Sequence, residues 1–154
     1  MGEALVSRVT KFRAWQPHAS LHLKPGMYLV DDMVWYLEQD GRTLGGEVFL
    51  TRHLGTSRSS EFFEDVEIMQ FTGLIDKNGV EIYEGDIIDS DHNFGGPFGA
   101  TVHRGTIVYE HARYLIKTGI VGNDLTTLYR ANWKIEVIGN IHENPELLSG
   151  GEAS

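Results

Sequence analysis

A mainly β fold, with a β-rich N-terminal lobe, a small barrel in the second half and short helical turns, is predicted by three observations. Apolar and polar residues alternate with a period of two from Val80 to Tyr83 and again from Trp133 to Ile141, as in half-buried strands. Turn-forming pairs such as Pro25-Gly26, Asp40-Gly41, Asn78-Gly79 and Gly85-Asp86 punctuate runs rich in β-branched and aromatic residues. Helical spacing is confined to Leu125, Leu128, Tyr129 and Asn132, which follow the capping pair Asn123-Asp124.

In chain order, residues 1–10 read as an arm, and order begins at Phe12 and Trp15. Pro17 and Pro25-Gly26 interrupt the next stretch, Met27 to Leu37 suits strands or a hairpin, and Thr43 to Leu54 follows the Asp40-Gly41 turn as another strand. Gly55 to Ser60 has the composition of a flexible connection, which sets a lobe boundary there. One domain is therefore expected, with lobes over 1–60 and 66–148 and a frayed tail from Ser149 to Ser154.

Strands are expected over Glu67–Phe71, Val80–Tyr83, Asp86–Ser90, Gly105–His111, Arg113–Thr118 and Trp133–Ile141. Asp76-Lys77-Asn78-Gly79 supplies a chain reversal between Ile75 and Val80, because Asn and Gly tolerate positive φ. Gly85 then permits a sharp bend, and the Asp86 carboxylate can accept main-chain amides before Ile87-Ile88. A Gly-Asp pair followed by β-branched residues is a common entry into a small SH3-like barrel. The expected core comprises Val80, Ile82, Ile87, Ile107, Ile135, Val137 and Ile141. On the last strand Lys134, Glu136 and Asn140 face away from it, with Ile138 as the apolar exception. Beyond that strand Asn144 can cap a helical turn that Pro145 starts and Glu146 favours electrostatically.

TGLIDKNGVEIYEGDII, from Thr72 to Ile88, and VIGNIHENPELL, from Val137 to Leu148, resemble the two central motifs of the YopX family, carried mainly by bacteriophages and prophages. Lys11-Phe12-Arg13-Ala14-Trp15 resembles its usual opening. The resemblance implies a mainly β architecture with an SH3-like pseudo-barrel in a phage-derived protein of the bacterial cytoplasm. It implies no activity and no catalytic residues. The Gly-rich loop from Phe94 to Gly105 corresponds to no motif of that family.

Composition excludes several classes of function. With no cysteine, disulfide and thiol chemistry are absent. No apolar run approaches the roughly 18 residues of a membrane span, and the N-terminus lacks a signal-peptide layout. Thirteen basic against 22 acidic residues give a net charge of −9, which opposes non-specific approach to nucleic acid. His103 and His111, if joined by extended chain, lie about 26 Å apart and cannot share a metal. The Gly-rich loop lacks the Lys-Ser or Lys-Thr of a phosphate-binding loop, and no Gly-x-Ser-x-Gly or His-Glu-x-x-His run occurs. No cofactor, metal, membrane or nucleic-acid partner is expected.

The sequence therefore predicts a non-enzymatic binding module that contacts a host or phage macromolecule, with self-association left open. Phe94 and Phe98 are the candidate contact residues, displayed by a Gly-rich hairpin tip; the alternative is that both rings fold back onto the barrel. A second reading is an enzyme whose site converges only in three dimensions from Glu84, Asp86, His111 or His142. A third is an acidic DNA mimic, for which Glu61, Glu64, Asp65 and Glu67 form the densest acidic group.

Overall fold

Two antiparallel sheets account for nearly all regular structure in a computed structural model of the chain, which describes residues 9–51, 58–95 and 101–149. The first is built from β1 (Phe12–Gln16), β2 (Gly26–Leu37), β3 (Thr43–Thr51), β4 (Arg58–Phe62), β5 (Glu67–Ile75) and β6 (Glu81–Tyr83), in the spatial order β4-β3-β2-β1-β5-β6. The second contains β7 (Asp86–Ser90), β8 (Arg104–Glu110), β9 (Arg113–Thr118), β10 (Val121–Asp124) and β11 (Ile135–Asn140), in the order β10-β9-β8-β7-β11. A 3-10 turn at Phe63–Asp65 and the short helices α1 (Leu125–Arg130) and α2 (Glu146–Ser149) complete the described elements. The protein is mainly β, as the sequence predicts. The two outer strands of the second sheet, β10 and β11, are not paired with each other. No helix among the described residues is long and apolar enough to cross a membrane.

The first sheet does not stop at the boundary expected near residues 60–66, since β5 pairs with β1 and carries the sheet on to β6. Arg58, Ser59 and Ser60 belong to β4, not to a connection, because they pair with Thr51, Leu50 and Phe49 of β3. Cross-strand pairing overrides a polar sequence with little strand propensity of its own. Residues 52–57 lie outside the described residues, as do most of the N-terminal arm and the tail beyond Ser149.

Pairing register divides the described side chains of the first sheet between two faces. Ala14, Tyr28, Val48 and Leu50 bury themselves on one, under Leu23, Phe63 and Val66. Arg13, Trp15, Glu67 and Met69 occupy the opposite face at β1 and β5. Leu29, Val34, Tyr36, Glu47 and Phe62 continue that face across β2, β3 and β4. The second sheet has its own core of Ile88, Phe94, Ile107, Ile116, Leu125, Leu128 and Ile135, to which β6 contributes Ile82.

Of the expected core, Ile82, Ile87, Ile107 and Ile135 are buried, while Val137 and Ile141 are half-buried. Val80 is exposed and overturns its expectation. The strand begins one residue later, and Val80 serves the preceding turn: its N–H donates to the Asp76 carboxylate and its carbonyl accepts from Asp76 N–H. The alternation expected on β11 breaks at a bulge between Val137 and Gly139. The extra residue, Ile138, reverses the phase, so Asn140 is buried where solvent exposure was expected.

Candidate functional site

The three segments that resemble family motifs meet where the sheets join. Glu84-Gly85-Asp86 carries the chain from β6 into β7, and Gly85 takes φ of 77°. A Cβ on Gly85 would stand 3.1 Å from the Met69 sulfur, so both conformation and space favour glycine. Arg13 of β1 reaches across the joint. Its Nη2 lies 2.5 Å from Asp86 Oδ1 and donates to the Glu84 carbonyl at 3.1 Å, while the guanidinium sits 4.8 Å from the Tyr83 ring centre. Tyr83 N–H donates to the other Asp86 oxygen at 2.8 Å. Lys11 pairs with Glu81, whose second oxygen accepts from the Tyr83 hydroxyl at 2.9 Å.

The C-terminal motif braces both ends of this unit. Ile141 N–H donates to the Gly85 carbonyl at 2.9 Å, and the His142 ring stacks on Trp15 with centres 5.2 Å apart. At the other end the Asp76 carboxylate accepts from Asn78, Val80 and Val137 N–H at 2.8, 2.9 and 2.9 Å. Lys77 adds an ion pair to Glu136 at 2.5 Å. Burial pushes the Asp76 carboxyl up, but the three amides and Lys77 outweigh it and hold its pKa below the ordinary value of 3.8. Burial also pushes the Asp86 carboxyl up, against Arg13 and Tyr83 N–H, which favour its charged form. The Tyr83 hydroxyl is raised strongly by burial and by Glu81.

These contacts explain where the residues suggested by sequence come to rest. Asp86 is 1 % exposed and committed to Arg13 and Tyr83. Glu84 accepts from Gln70 N–H at 2.7 Å and closes the β5–β6 pairing. His142 is packed on Trp15, 3.5 Å from Glu67. His111 lies apart from all of them, at the tip of the β8–β9 hairpin, where it and Ala112 adopt φ of 52° and 62°, the left-handed pair of a two-residue turn. Asn144 does not cap α2 through its side chain: Oδ1 accepts from Asn140 N–H at 3.3 Å, beneath Gly139. Among the described residues, no three His, Asp or Glu side chains are placed to hold a metal ion.

Phe94 is 4 % exposed in the core of the second sheet, stacked on Trp133 with centres 5.8 Å apart. The displayed position expected for it gives way to the folded-back alternative, because its N–H donates to the Val102 carbonyl and closes the base of the loop inward. Phe98 lies outside the described residues.

Among the described residues, two open surfaces bear on function, besides a smaller hollow of about 220 Å3 between Asp76-Lys77 and Tyr129 to Ile135. A groove of about 610 Å3 crosses the outer face of the second sheet between Arg104, Thr106 and Lys117 on one side and Leu147 and Leu148 on the other. Its cations are already engaged: Arg104 donates to the Leu147 carbonyl at 3.0 Å and lies 3.7 Å from Asp89, and Lys117 lies 2.5 Å from Glu110. None of Glu84, Asp86, His111 or His142 lines it. The second surface is the uncovered half of the first sheet, where Leu29, Val34, Tyr36 and Phe62 are 39, 37, 43 and 54 % exposed. Sequence reasoning missed these residues because a strand with apolar residues on both faces reads as buried. The available signal was charge, since neither β2 nor β3 contains a Lys or Arg.

Two antiparallel sheets joined at a glycine-centred turn define a mainly β protein whose sequence motifs serve its construction. The YopX protein family model matches residues 11–149, and the chain belongs to that family. Protein EF1440 from Enterococcus faecalis, known from a crystal structure, is similar at 30% sequence identity; the match covers 92% of this chain and 99% of that one, with a TM-score of 0.52. The X-ray structure of yopX from Bacillus subtilis is 15% identical over 90% of this chain and 97% of that one, with a TM-score of 0.53. At that identity the likeness is one of fold alone. No curated protein matches by sequence.

Proposed function

We propose that the protein is a non-enzymatic binding module of phage origin, acting in the cytoplasm of a bacterial host and contacting a host or phage protein through an exposed face. We read its second sheet, with α1 across one end, as a pseudo-barrel of the SH3-like kind that carries and braces the first sheet. The observation that carries the functional reading is the exposed apolar group Leu29, Val34, Tyr36 and Phe62 on one side of β2–β4. Exposed apolar clusters rimmed by polar residues mark interaction sites more often than chance placement does.

The groups available to an enzyme support the same reading by their engagement. Asp86, Glu84 and His142 each serve the joint between the sheets, and His111 stands alone on a hairpin tip. A general base needs a substrate within reach, and neither Asp86 nor His142 borders the groove. For the acidic mimic, Glu61 and Glu67 point to opposite faces of the first sheet, so they do not form one phosphate-like row.

The test is affinity capture from host lysate with the full chain and with a Tyr36→Ser, Phe62→Ser double variant, alongside thermal melts of both. Loss of a captured protein at unchanged melting temperature is the expected result. A turnover activity abolished by His142→Gln or His111→Gln in a folded chain would replace the module with an enzyme.

A further inference from the structure

The groove on the outer face of the second sheet combines cationic side chains with an apolar wall. Along β8, Arg104, Thr106 and Val108 alternate with the buried Gly105 and Ile107, and register sets Lys117 of β9 directly opposite Thr106. Arg104 is then the diagonal neighbour of Lys117, about 7–8 Å away, a gap that two long side chains can close on one ligand. Leu147 and Leu148 lie across the groove, and Val108 adds to its apolar lining. Its volume of about 610 Å3 falls among small-molecule sites, which span about 300–1,000 Å3.

We infer that this groove is a binding site for a small aliphatic carboxylate, with its head group between Arg104, Thr106 and Lys117 and its tail along Val108, Leu147 and Leu148. The groove lies on the second sheet, away from Tyr36 and Phe62, so binding here is independent of the protein contact proposed for that face.

Both cations are anchored and keep donors to spare. A guanidinium carries five N–H donors and an ammonium three. Arg104 donates to the Leu147 carbonyl, its Nε–H is enclosed without a hydrogen-bond partner, and Asp89 stays 3.7 Å away, beyond hydrogen-bond range. Lys117 pairs with Glu110, and the two side chains are 37 and 38 % exposed. Exposed pairs of that kind are worth little in water, so a carboxylate held by the groove competes with Glu110 for Lys117.

Charge and shape select the occupant. Among the described lining residues, with His103 neutral, Arg104 and Lys117 carry positive charge and Asp89 negative. That surplus of one suits a monoanion better than a phosphate dianion. No Phe, Tyr or Trp is among them, so a nucleobase has no ring to stack on. Val108 and the two leucines match an aliphatic body.

The test is titration of the isotope-labelled full chain with octanoate below its micelle-forming concentration, followed by amide chemical shifts, beside octanamide, octylammonium and octyl phosphate. Octanoate should give saturable shifts centred on residues 104–108, Lys117, Leu147 and Leu148, with a Kd of about 1 mM or tighter. Octanamide keeps the shape without the charge and should bind about tenfold more weakly. Lys117→Gln should weaken octanoate binding about tenfold, Lys117→Arg should retain it, and Glu110→Gln should tighten it by releasing Lys117; thermal melts establish that each variant is folded. Tyr36→Ser on the first sheet should leave affinity unchanged, which separates the groove from that face. Octanamide or octylammonium binding as well as octanoate would overturn the inference, as would tighter binding of octyl phosphate. So would shifts centred on β2–β4, the absence of saturable shifts, or affinity indifferent to both Lys117→Gln and Glu110→Gln in folded protein.

Discussion

Arg13 of β1 and Asp86 of β7 meet at 2.5 Å across the joint between the two sheets, although 73 positions separate them in the chain. Their side chains are 12 and 1 % exposed, so neither charge can be removed without leaving the other in a poorly solvated place. Asp86→Ala should destabilise the fold by about 3–5 kcal/mol, read from denaturant midpoints. Arg13→Met combined with Asp86→Leu should cost less than the sum of the single changes, because the double variant leaves no orphaned charge. Strict additivity would remove this contact from the joint.

Acid should unfold the protein partly through Asp76. Its folded pKa is depressed below 3.8, so its contribution is present above that value and is lost as pH falls through the folded pKa. Asp76→Asn should therefore be less stable than the parent at pH 7, on the order of 1–3 kcal/mol, and the gap should close as pH falls below about 4. Thermal melts in a series of acidic buffers measure it. A gap that stays constant down to pH 2 would show that the carboxylate charge is not what holds Val80 and Val137.

Gly139 is tied to one neighbour. A Cβ there would fall 2.5 Å from Asn144 Oδ1 and 2.8 Å from its Cγ, closer than side chains pack. Gly139→Ala should destabilise by about 1–3 kcal/mol, and Asn144→Gly in the same chain should recover part of that loss by clearing the space. Equal melting temperatures for Gly139→Ala and the parent would contradict the packing described.

Phe94 distinguishes a core role from a contact role. Phe94→Ala should cost about 3–5 kcal/mol of stability and displace the Trp133 fluorescence spectrum, since the two rings stack. Partner capture by the surviving folded fraction should be unchanged.

Much of this fold was legible because local chemistry and tertiary pairing agree. The bounds of β7 and β9, the helix after Asp124 and the turn at Asp76 match their sequence expectations, and Asp124 accepts from Thr127 N–H at 2.8 Å as a capping residue should. What stayed hidden depends on partners far away in sequence. Nothing in Arg58 to Phe62 announces a strand until β3 lies beside it. The bulge at Ile138 inverts Asn140 by inserting one residue, which periodicity registers only as an exception. Phe94 and Tyr36 are both aromatic, yet one is buried and the other displayed, because Phe94 is tied to Val102 at the base of the β7–β8 connection and packs on Trp133, whereas the β2–β3 hairpin extends beyond the second sheet's cover. For the same reason the open face was not legible as a site: its exposure is a property of which elements cover which half of a sheet.

The account as a whole divides the molecule into a joint that holds it together and a face that meets a partner. The most direct measurement sets melting temperature and partner capture side by side for two double variants, Arg13→Met with Asp86→Leu at the joint and Tyr36→Ser with Phe62→Ser on the face. The joint variant should melt lower yet capture the partner when assayed below its transition, while the face variant should melt with the parent and capture nothing. A face variant that captures as well as the parent would contradict the account.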